Sequence, residues 1–148
     1  MTLLGAIRPD DWNLPLFLHV LGAMVLVGSL VLVVTSIAGD NLRMGYRTLL
    51  IGVIPSWIVM RLSAQWIADK EGLTDLDDPP AWVDIGFVTS EPTLLLLIVA
   101  TVCAGVAARR AREGGRAFGG LNKTALVLVS ISLLAYVLAI WAMSTKPV

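Results

Sequence analysis

Two ionisable side chains interrupt apolar stretches of this sequence, and they are the first places to look for chemistry. His19 stands in the run 14–38, which holds no formal charge, and Arg61 stands in the run 46–68. An imidazole can ligate a metal or carry a proton, and a guanidinium can bind an anionic group. Because ionisable groups inside an apolar helix are costly unless they are paired or hydrated, both residues are candidate functional residues.

Four apolar runs must position these side chains, and their lengths predict helices that cross a membrane. The 148 residues are 57% hydrophobic and 15% charged, with a mean hydropathy of +0.82. A bilayer core of about 30 Å needs about 20 apolar residues of helix. We therefore predict an all-α protein, one domain over residues 1–148, with a bundle of four transmembrane helices. The predicted spans are about 15–38, 46–68, 92–109 and 124–143.

The second span is the least regular of the four. Its uncharged stretch, 48–60, is too short to cross a bilayer alone, so Arg61 must lie inside the span, towards one end. Pro55 removes one helical hydrogen bond, which predicts a kink.

Composition also excludes several classes of protein. The single cysteine, Cys103, excludes a disulfide scaffold, and the balance of 11 basic against 11 acidic residues argues against nucleic-acid binding. Cys103 falls in the middle of a predicted span, where its thiolate would be strongly disfavoured. The chain has one histidine, so no second imidazole can act as a general base. The sequence therefore favours a protein that is not an enzyme.

Charges outside the spans divide by sign between alternate loops, which predicts the orientation of the chain. The loops after the first and third spans hold seven basic and two acidic residues, whereas the rest of the chain holds four basic and nine acidic residues. Because basic loops face the cytoplasm, we predict a multi-pass protein of the inner (cytoplasmic) membrane with both termini outside. Four tryptophans fall at outer span ends, as expected of an aromatic belt: Trp12, Trp66, Trp82 and Trp141.

Two segments outside the spans also have predicted roles. We expect Met1–Ile7 to be an interfacial segment and not a signal peptide. The outer segment 69–90 contains Pro79-Pro80 in its middle. It is predicted to be a plain interfacial linker. A short helix after the prolines, capping the bundle, is the alternative.

The polar residues within the spans lie at similar depths. His19 is about five residues from the outer end of its span, roughly 6–8 Å deep at 1.5 Å per residue, and Arg61 and Tyr136 are each about seven residues from theirs. We predict one polar cluster in the outer half of the bundle. The alternatives are that His19 bonds to a neighbouring helix as a neutral imidazole, and that Arg61 reaches the headgroups or stacks on Trp57.

The stretch Phe17–Leu30, FLHVLGAMVLVGSL, resembles a first-helix pattern, "LHxxGAxxxVG", of small bacterial membrane families. These are uncharacterised four-helix proteins and the related copper-resistance D-type and J-type protoporphyrinogen oxidase groups. The resemblance covers about 14 residues. It implies haem b or a metal at the membrane, with His19 as an axial or metal ligand and Arg61 as the partner of a propionate.

A single histidine limits these implied sites. One chain cannot supply two histidines to a haem, so a second axial ligand would be Met60, Met143 or the His19 of a second copy. Met24 is excluded because it lies on the same helix, five residues on. A copper site of His19, Met60 and Met143 is the other possibility, since imidazole and thioether suit copper.

Two further functions stay open at this point. His19, Arg61 and Tyr136 can line the outward-facing cavity of a small transporter or channel. Alternatively, the chain is a structural or assembly subunit without a site. Besides the lipid bilayer, the expected partners are a second copy of the chain or a larger membrane complex, and not nucleic acid.

Overall fold

The structure is a computed structural model that describes residues 10–73, 81–114 and 119–144, without the side chains of 10–13 and 81–82. Over these residues it is helical, with no strand. Met1–Ile7 and the side chains of Trp12 and Trp82 lie outside the described part. In chain order the elements are α1 (Asp10–Ala38), α2 (Leu42–Thr48), a π-helical segment (Leu49–Val53), α3 (Ile54–Lys70), α4 (Ala81–Arg112) and α5 (Gly120–Ser144).

The predicted all-α architecture is confirmed. Four helical stretches are long and apolar enough to cross a membrane: Leu14–Ala38, Leu42–Lys70, Val83–Arg112 and Gly120–Ser144. The second of these joins α2, the π segment and α3 into one continuous helix.

The third span begins earlier than predicted. Helix α4 runs unbroken from Ala81, with Pro92 inside it, so the prediction of a linker up to residue 90 was wrong over 81–90. Residues 74–80 lie outside the described part. A proline removes one N–H from a helix, here the donor to the carbonyl of Val88, but it bends a membrane helix more often than it ends it. Here the hydroxyl of Thr93 donates to carbonyls of that turn, at 2.6 Å from Thr89 O and 2.9 Å from Ser90 O.

The distortion predicted at Pro55 takes the form of the π segment that precedes it. The ring of a proline crowds the carbonyl four residues earlier, which is Ile51, within the π segment. In the widened turn the N–H of Ile54 bonds to the carbonyl of Leu49, five residues back. The hydroxyl of Ser56 donates to Gly52 O at 2.7 Å, which satisfies a carbonyl near the missing N–H.

Charge distinguishes the two ends of the bundle. At the end where α3 finishes and α4 starts, the described charges are mostly acidic; we call it the acidic end (Asp69, Lys70, Glu71, Asp84 and Glu91). At the opposite end, where α1 turns into α2 and α4 finishes, they are mostly basic; we call it the basic end (Asp40, Arg43, Arg47, Arg109, Arg110, Arg112, Glu113 and Lys123).

Packing is also different in the two halves. Helix α1 packs against α3 and α5, α4 packs along α5, and α2 packs against α4, whereas α3 and α4 make few contacts. The basic half is filled by apolar side chains without solvent exposure, namely Leu30, Val33, Leu49, Val53, Leu97, Ala100, Ala125 and Val129. In the acidic half, the separation of α3 from α4 leaves space within the bundle.

Helix α1 comes very close to the backbone of α3 at Gly22. A Cβ atom at this position would lie 2.9 Å from the backbone nitrogen of Met60 and 3.2 Å from its Cβ atom. These atoms belong to the helix itself and cannot rotate away, so α1 and α3 can approach this closely only because residue 22 has no side chain. By contrast, a Cβ atom at Gly28 on the same helix would meet nothing within 4 Å.

We predict that Gly22→Ala destabilises the protein and that Gly28→Ala does not. The added methyl at position 22 must push α3 away from α1, which costs about 1–3 kcal/mol by analogy with other overpacked sites. At position 28 the better helix former should leave stability unchanged or raise it slightly. Unfolding of the purified proteins in detergent, followed by circular dichroism, measures both. Equal midpoints for the two variants would contradict the close contact.

One buried polar side chain has no hydrogen-bond partner among the described residues. Asn122, in the first turn of α5, is 1% exposed, and neither its amide nitrogen nor its amide oxygen is bonded. A buried polar group left unsatisfied costs about 1–3 kcal/mol.

We therefore predict that Asn122→Leu, which keeps a similar volume, raises the unfolding midpoint. Val129→Ala, at an equally buried position of the same helix, serves as the reference for a change that lowers it by leaving a cavity. The same detergent unfolding assay compares them. A lower midpoint for Asn122→Leu would show that the amide is satisfied in the folded protein.

Candidate functional site

A cavity of about 430 Å³ occupies the acidic half of the bundle, among α1, α3, α4 and α5. Along α1 its lining runs from Leu16 to Val27, which is about 16 Å at 1.5 Å per residue. Its lining is mainly apolar, with a few polar side chains. Size, shape and lining are those of sites that bind small organic molecules.

All five residues singled out in the sequence as a possible site line this one cavity. They come from three helices: His19 from α1, Met60 and Arg61 from α3, and Tyr136 and Met143 from α5. The helices thus bring together side chains that are up to 124 positions apart in the chain.

His19 is held by a backbone carbonyl of the neighbouring helix. Its Nδ1 atom lies 3.0 Å from the carbonyl oxygen of Met60. A carbonyl oxygen only accepts hydrogen bonds, so Nδ1 carries the proton, and in a neutral imidazole the lone pair is then on Nε2. The hydroxyl of Ser63 donates to the same carbonyl at 3.0 Å. Metal-ligating histidines characteristically donate their other N–H to a carbonyl or carboxylate in this way.

Arg61 joins α3 to α4 across the gap between them. Its guanidinium lies over the ring of Phe87, 4.5 Å from the centroid, and Nη2 lies 3.7 Å from a carboxylate oxygen of Glu91. Nη1 donates to Gln65 Oε1 at 3.0 Å. The side chain is 21% exposed, so it is largely enclosed by these groups.

The aromatic partner proposed for Arg61 from helical spacing was wrong. Trp57 lies one turn before Arg61, but its indole Nε1 donates to the carbonyl of Ser90 at 3.3 Å. The ring that receives the guanidinium is Phe87, on α4. Trp57 and Arg61 therefore form two successive polar links from α3 to α4.

Tyr136 is buried and bonded to α4. Its hydroxyl lies 2.8 Å from the hydroxyl oxygen of Thr93. Either hydroxyl can be the donor in this pair, and the hydroxyl of Thr93 also lies within hydrogen-bond distance of the carbonyl oxygens of Thr89 and Ser90.

The two methionines occupy different positions in the cavity. Met60 lies at the close contact of α3 with Gly22 of α1, and its carbonyl positions His19. The side chain of Met143 lies against α4, where its Cε atom is 2.6 Å from the position that a Cβ atom of Gly86 would take.

The chemistry of the cavity follows from which of these atoms donate and which accept. His19 Nε2, the Tyr136 oxygen and the thioether sulfurs offer lone pairs, whereas Arg61 offers a cation. Among the described residues no group of three or more His, Cys, Asp or Glu side chains could hold a metal ion. The cavity is thus complementary to a molecule that has an electron-poor centre, an anionic group and an apolar body.

Four residues that contribute to the site were not predicted from the sequence. Phe87, Glu71, Ser90 and Thr93 line the cavity or bond to residues that do. Phe87 and Ser90 fall in the stretch predicted as a linker, before the predicted start of the third span. A usable signal was the helical spacing of the apolar residues Val83, Phe87 and Leu94, which continues the helix back through Pro92.

We compared the chain with protein-family models, with curated proteins and with solved structures. None of the three comparisons finds a match. The cavity and its residues are therefore the basis for any function assigned to this protein.

Proposed function

We propose that the protein binds haem b in the cavity at the acidic end, where His19 would be a ligand of the iron. The observation that carries the proposal is the hydrogen bond from His19 Nδ1 to the carbonyl of Met60. It fixes the tautomer whose Nε2 lone pair can bind iron, and Met60 O is the outer-shell partner such a ligand needs. When bound, the haem would supply one-electron chemistry.

The rest of the cavity fits the same group. Its apolar lining suits a porphyrin ring, and Arg61 is placed to bind a propionate. A guanidinium binds a carboxylate with two parallel hydrogen bonds. Glu91, its present partner, is 71% exposed and 3.7 Å away, so a propionate can replace it at little cost.

A bare metal ion fits less well than a metal in a porphyrin. Copper bound by His19, Met60 and Met143 needs its three ligands close to a single point. These three residues instead line a space of about 430 Å³, and Met143 lies against α4 while His19 is bonded towards α3. The cavity size thus favours an organic cofactor over copper alone.

The transport alternative has less support from the same packing. Leu30, Val33, Val53, Leu97 and Val129 are without solvent exposure in the basic half. In the part of the chain that the structure describes, apolar side chains therefore fill the bundle beyond the cavity.

We place the cavity in the outer half of an inner membrane, with both termini outside. The support is the charge division between the two ends of the bundle, which follows the preference of basic loops for the cytoplasm. At this depth His19 and Arg61 would hold the haem near the outer surface, as expected of an accessory protein of a redox complex.

Titration of haemin into the purified protein in detergent tests the proposal. We expect a saturable change in the Soret band at one haemin per chain. His19→Ala should weaken binding at least tenfold, and added imidazole should restore the spectrum by replacing the missing ligand. His19→Gln should also lose ligation while keeping a donor to the Met60 carbonyl.

The two variants separate ligation from folding. Because His19→Gln can still bond to α3, it should unfold at nearly the wild-type midpoint although it no longer ligates iron. Identical Soret changes for wild type and both variants would overturn the proposal, as would no haemin binding. Copper in the purified protein without porphyrin absorption would support the metal alternative instead.

We further predict that Arg61 distinguishes haemin from its dimethyl ester, in which both propionates are neutral. Wild type should bind haemin several-fold more tightly than the ester, and Arg61→Gln should remove this difference by weakening the binding of haemin alone. Competition at constant detergent concentration measures the ratio. The reference variant is Arg109→Gln, at the opposite end of the bundle, which should keep the wild-type ratio. An unchanged ratio in Arg61→Gln would exclude a propionate contact.

A further inference from the structure

A second cavity lies at the basic end, far from the haem site. It has a volume of about 240 Å³ and is formed by the turn between α1 and α2 and by the last turns of α4. The α4 wall is made by Ala108 and Ala111, whose small side chains leave the space open. We call this space the basic-end groove, with Asp40, Asn41, Leu42, Arg43, Ala108, Ala111 and Arg112 as its lining.

Three charged side chains line the basic-end groove, and they are of both signs. Asp40 comes from the turn, Arg43 from the start of α2, and Arg112 from the end of α4. None of the three forms an ion pair within 4 Å with any described residue. The neighbouring Arg109, in contrast, is paired with Glu113 at 3.5 Å and does not line the groove.

The pattern of these charges defines the ligand. Two guanidinium groups suit a phosphate, which they can bind through charge-assisted, bidentate hydrogen bonds. A phosphate alone would leave the carboxylate of Asp40 beside a like charge. A phosphate that is joined by a short linker to an ammonium group satisfies all three side chains.

We propose that the basic-end groove binds the headgroup of an aminophospholipid, with its phosphate at Arg43 and Arg112 and its ammonium at Asp40. The primary ammonium of phosphoethanolamine donates hydrogen bonds to a carboxylate, which the quaternary ammonium of phosphocholine cannot do. The uncharged glycerol of phosphatidylglycerol offers no cation to Asp40.

The position of the groove suits a lipid more than a free molecule. It lies at the polar end of the apolar stretches Val83–Arg112 and Leu42–Lys70, where lipid headgroups are expected once these helices cross a bilayer. Basic pockets between helices at the cytoplasmic face are known sites for phospholipid headgroups.

Delipidated full-length protein, titrated with short-chain phospholipids below their micelle concentration, tests the proposal by the shift in its unfolding midpoint. Wild type should bind phosphatidylethanolamine at least tenfold more tightly than phosphatidylcholine or phosphatidylglycerol. Arg43→Gln with Arg112→Gln should lose this binding. Arg109→Gln with Arg110→Gln, which removes the same charge at the same end, should keep it.

Asp40→Asn tests the ammonium contact separately. It should lower the affinity for phosphatidylethanolamine to that for phosphatidylcholine while leaving the protein folded, because Asn also tolerates the positive φ of 59° that residue 40 adopts. Equal binding of the three lipids by wild type would overturn the proposal, as would equal losses in the two double variants. The same shift with inorganic phosphate would show a plain anion site. None of these outcomes depends on haem.

Discussion

The acidic half of this bundle depends on the contact between α1 and α3 at Gly22 and Met60. Because residue 22 has no side chain, the backbone of α3 comes within reach of α1, and one turn earlier His19 can donate to the carbonyl of Met60. A wider separation would leave the imidazole without this acceptor. Its tautomer would then be free, and it would have no defined direction for a ligand. Close packing of α1 against α3 thus determines which ring nitrogen of His19 carries the proton.

The cavity itself arises from the opposite behaviour of α3 towards α4. The same continuous helix packs against α4 through its α2 portion and separates from it through its α3 portion. The π segment and Pro55 lie at the point where this change occurs. Across the gap, α3 reaches α4 through long side chains, with Trp57 bonded to Ser90 and Arg61 lying over Phe87. A gap spanned by polar side chains stays open between them, which an apolar interface would not.

The sequence predicts most of the fold because the strongest signals, the lengths of its apolar runs, depend only on the order of residues along the chain. Run length alone identifies the four apolar helices, and the short uncharged stretch before Arg61 places this residue inside a span. The start of α4 was wrong because Pro92 was read as the boundary of the helix, whereas Thr93 supplies hydrogen bonds in the turn before it. Acidic composition around 69–84 strengthened that error, since it resembles a solvated loop.

The sequence predicted which residues form the site, but it did not predict which groups those residues contact. His19, Arg61 and Tyr136 stand out because polar groups are rare in such runs, and similar depths placed them together. The acceptor for His19 is a backbone carbonyl, which every residue has and no sequence pattern marks. The ring beneath Arg61 depends on the rotation of α4 relative to α3, so spacing within one helix pointed to Trp57 instead.

The charges of the two ends have different consequences for function. At the acidic end, Arg61 is a largely enclosed cation that lies over Phe87 and beside Glu91, and an enclosed cation attracts a single anionic group more strongly than an exposed one does. At the basic end the arginines are exposed and numerous, so each contributes little alone, and a ligand is selected only by the arrangement of both signs. The acidic end can therefore bind a molecule by enclosing it, whereas the basic end can select a ligand only by the arrangement of its positive and negative side chains. This difference is why the acidic-end cavity fits a cofactor, whereas the basic-end groove fits a component of the surrounding membrane.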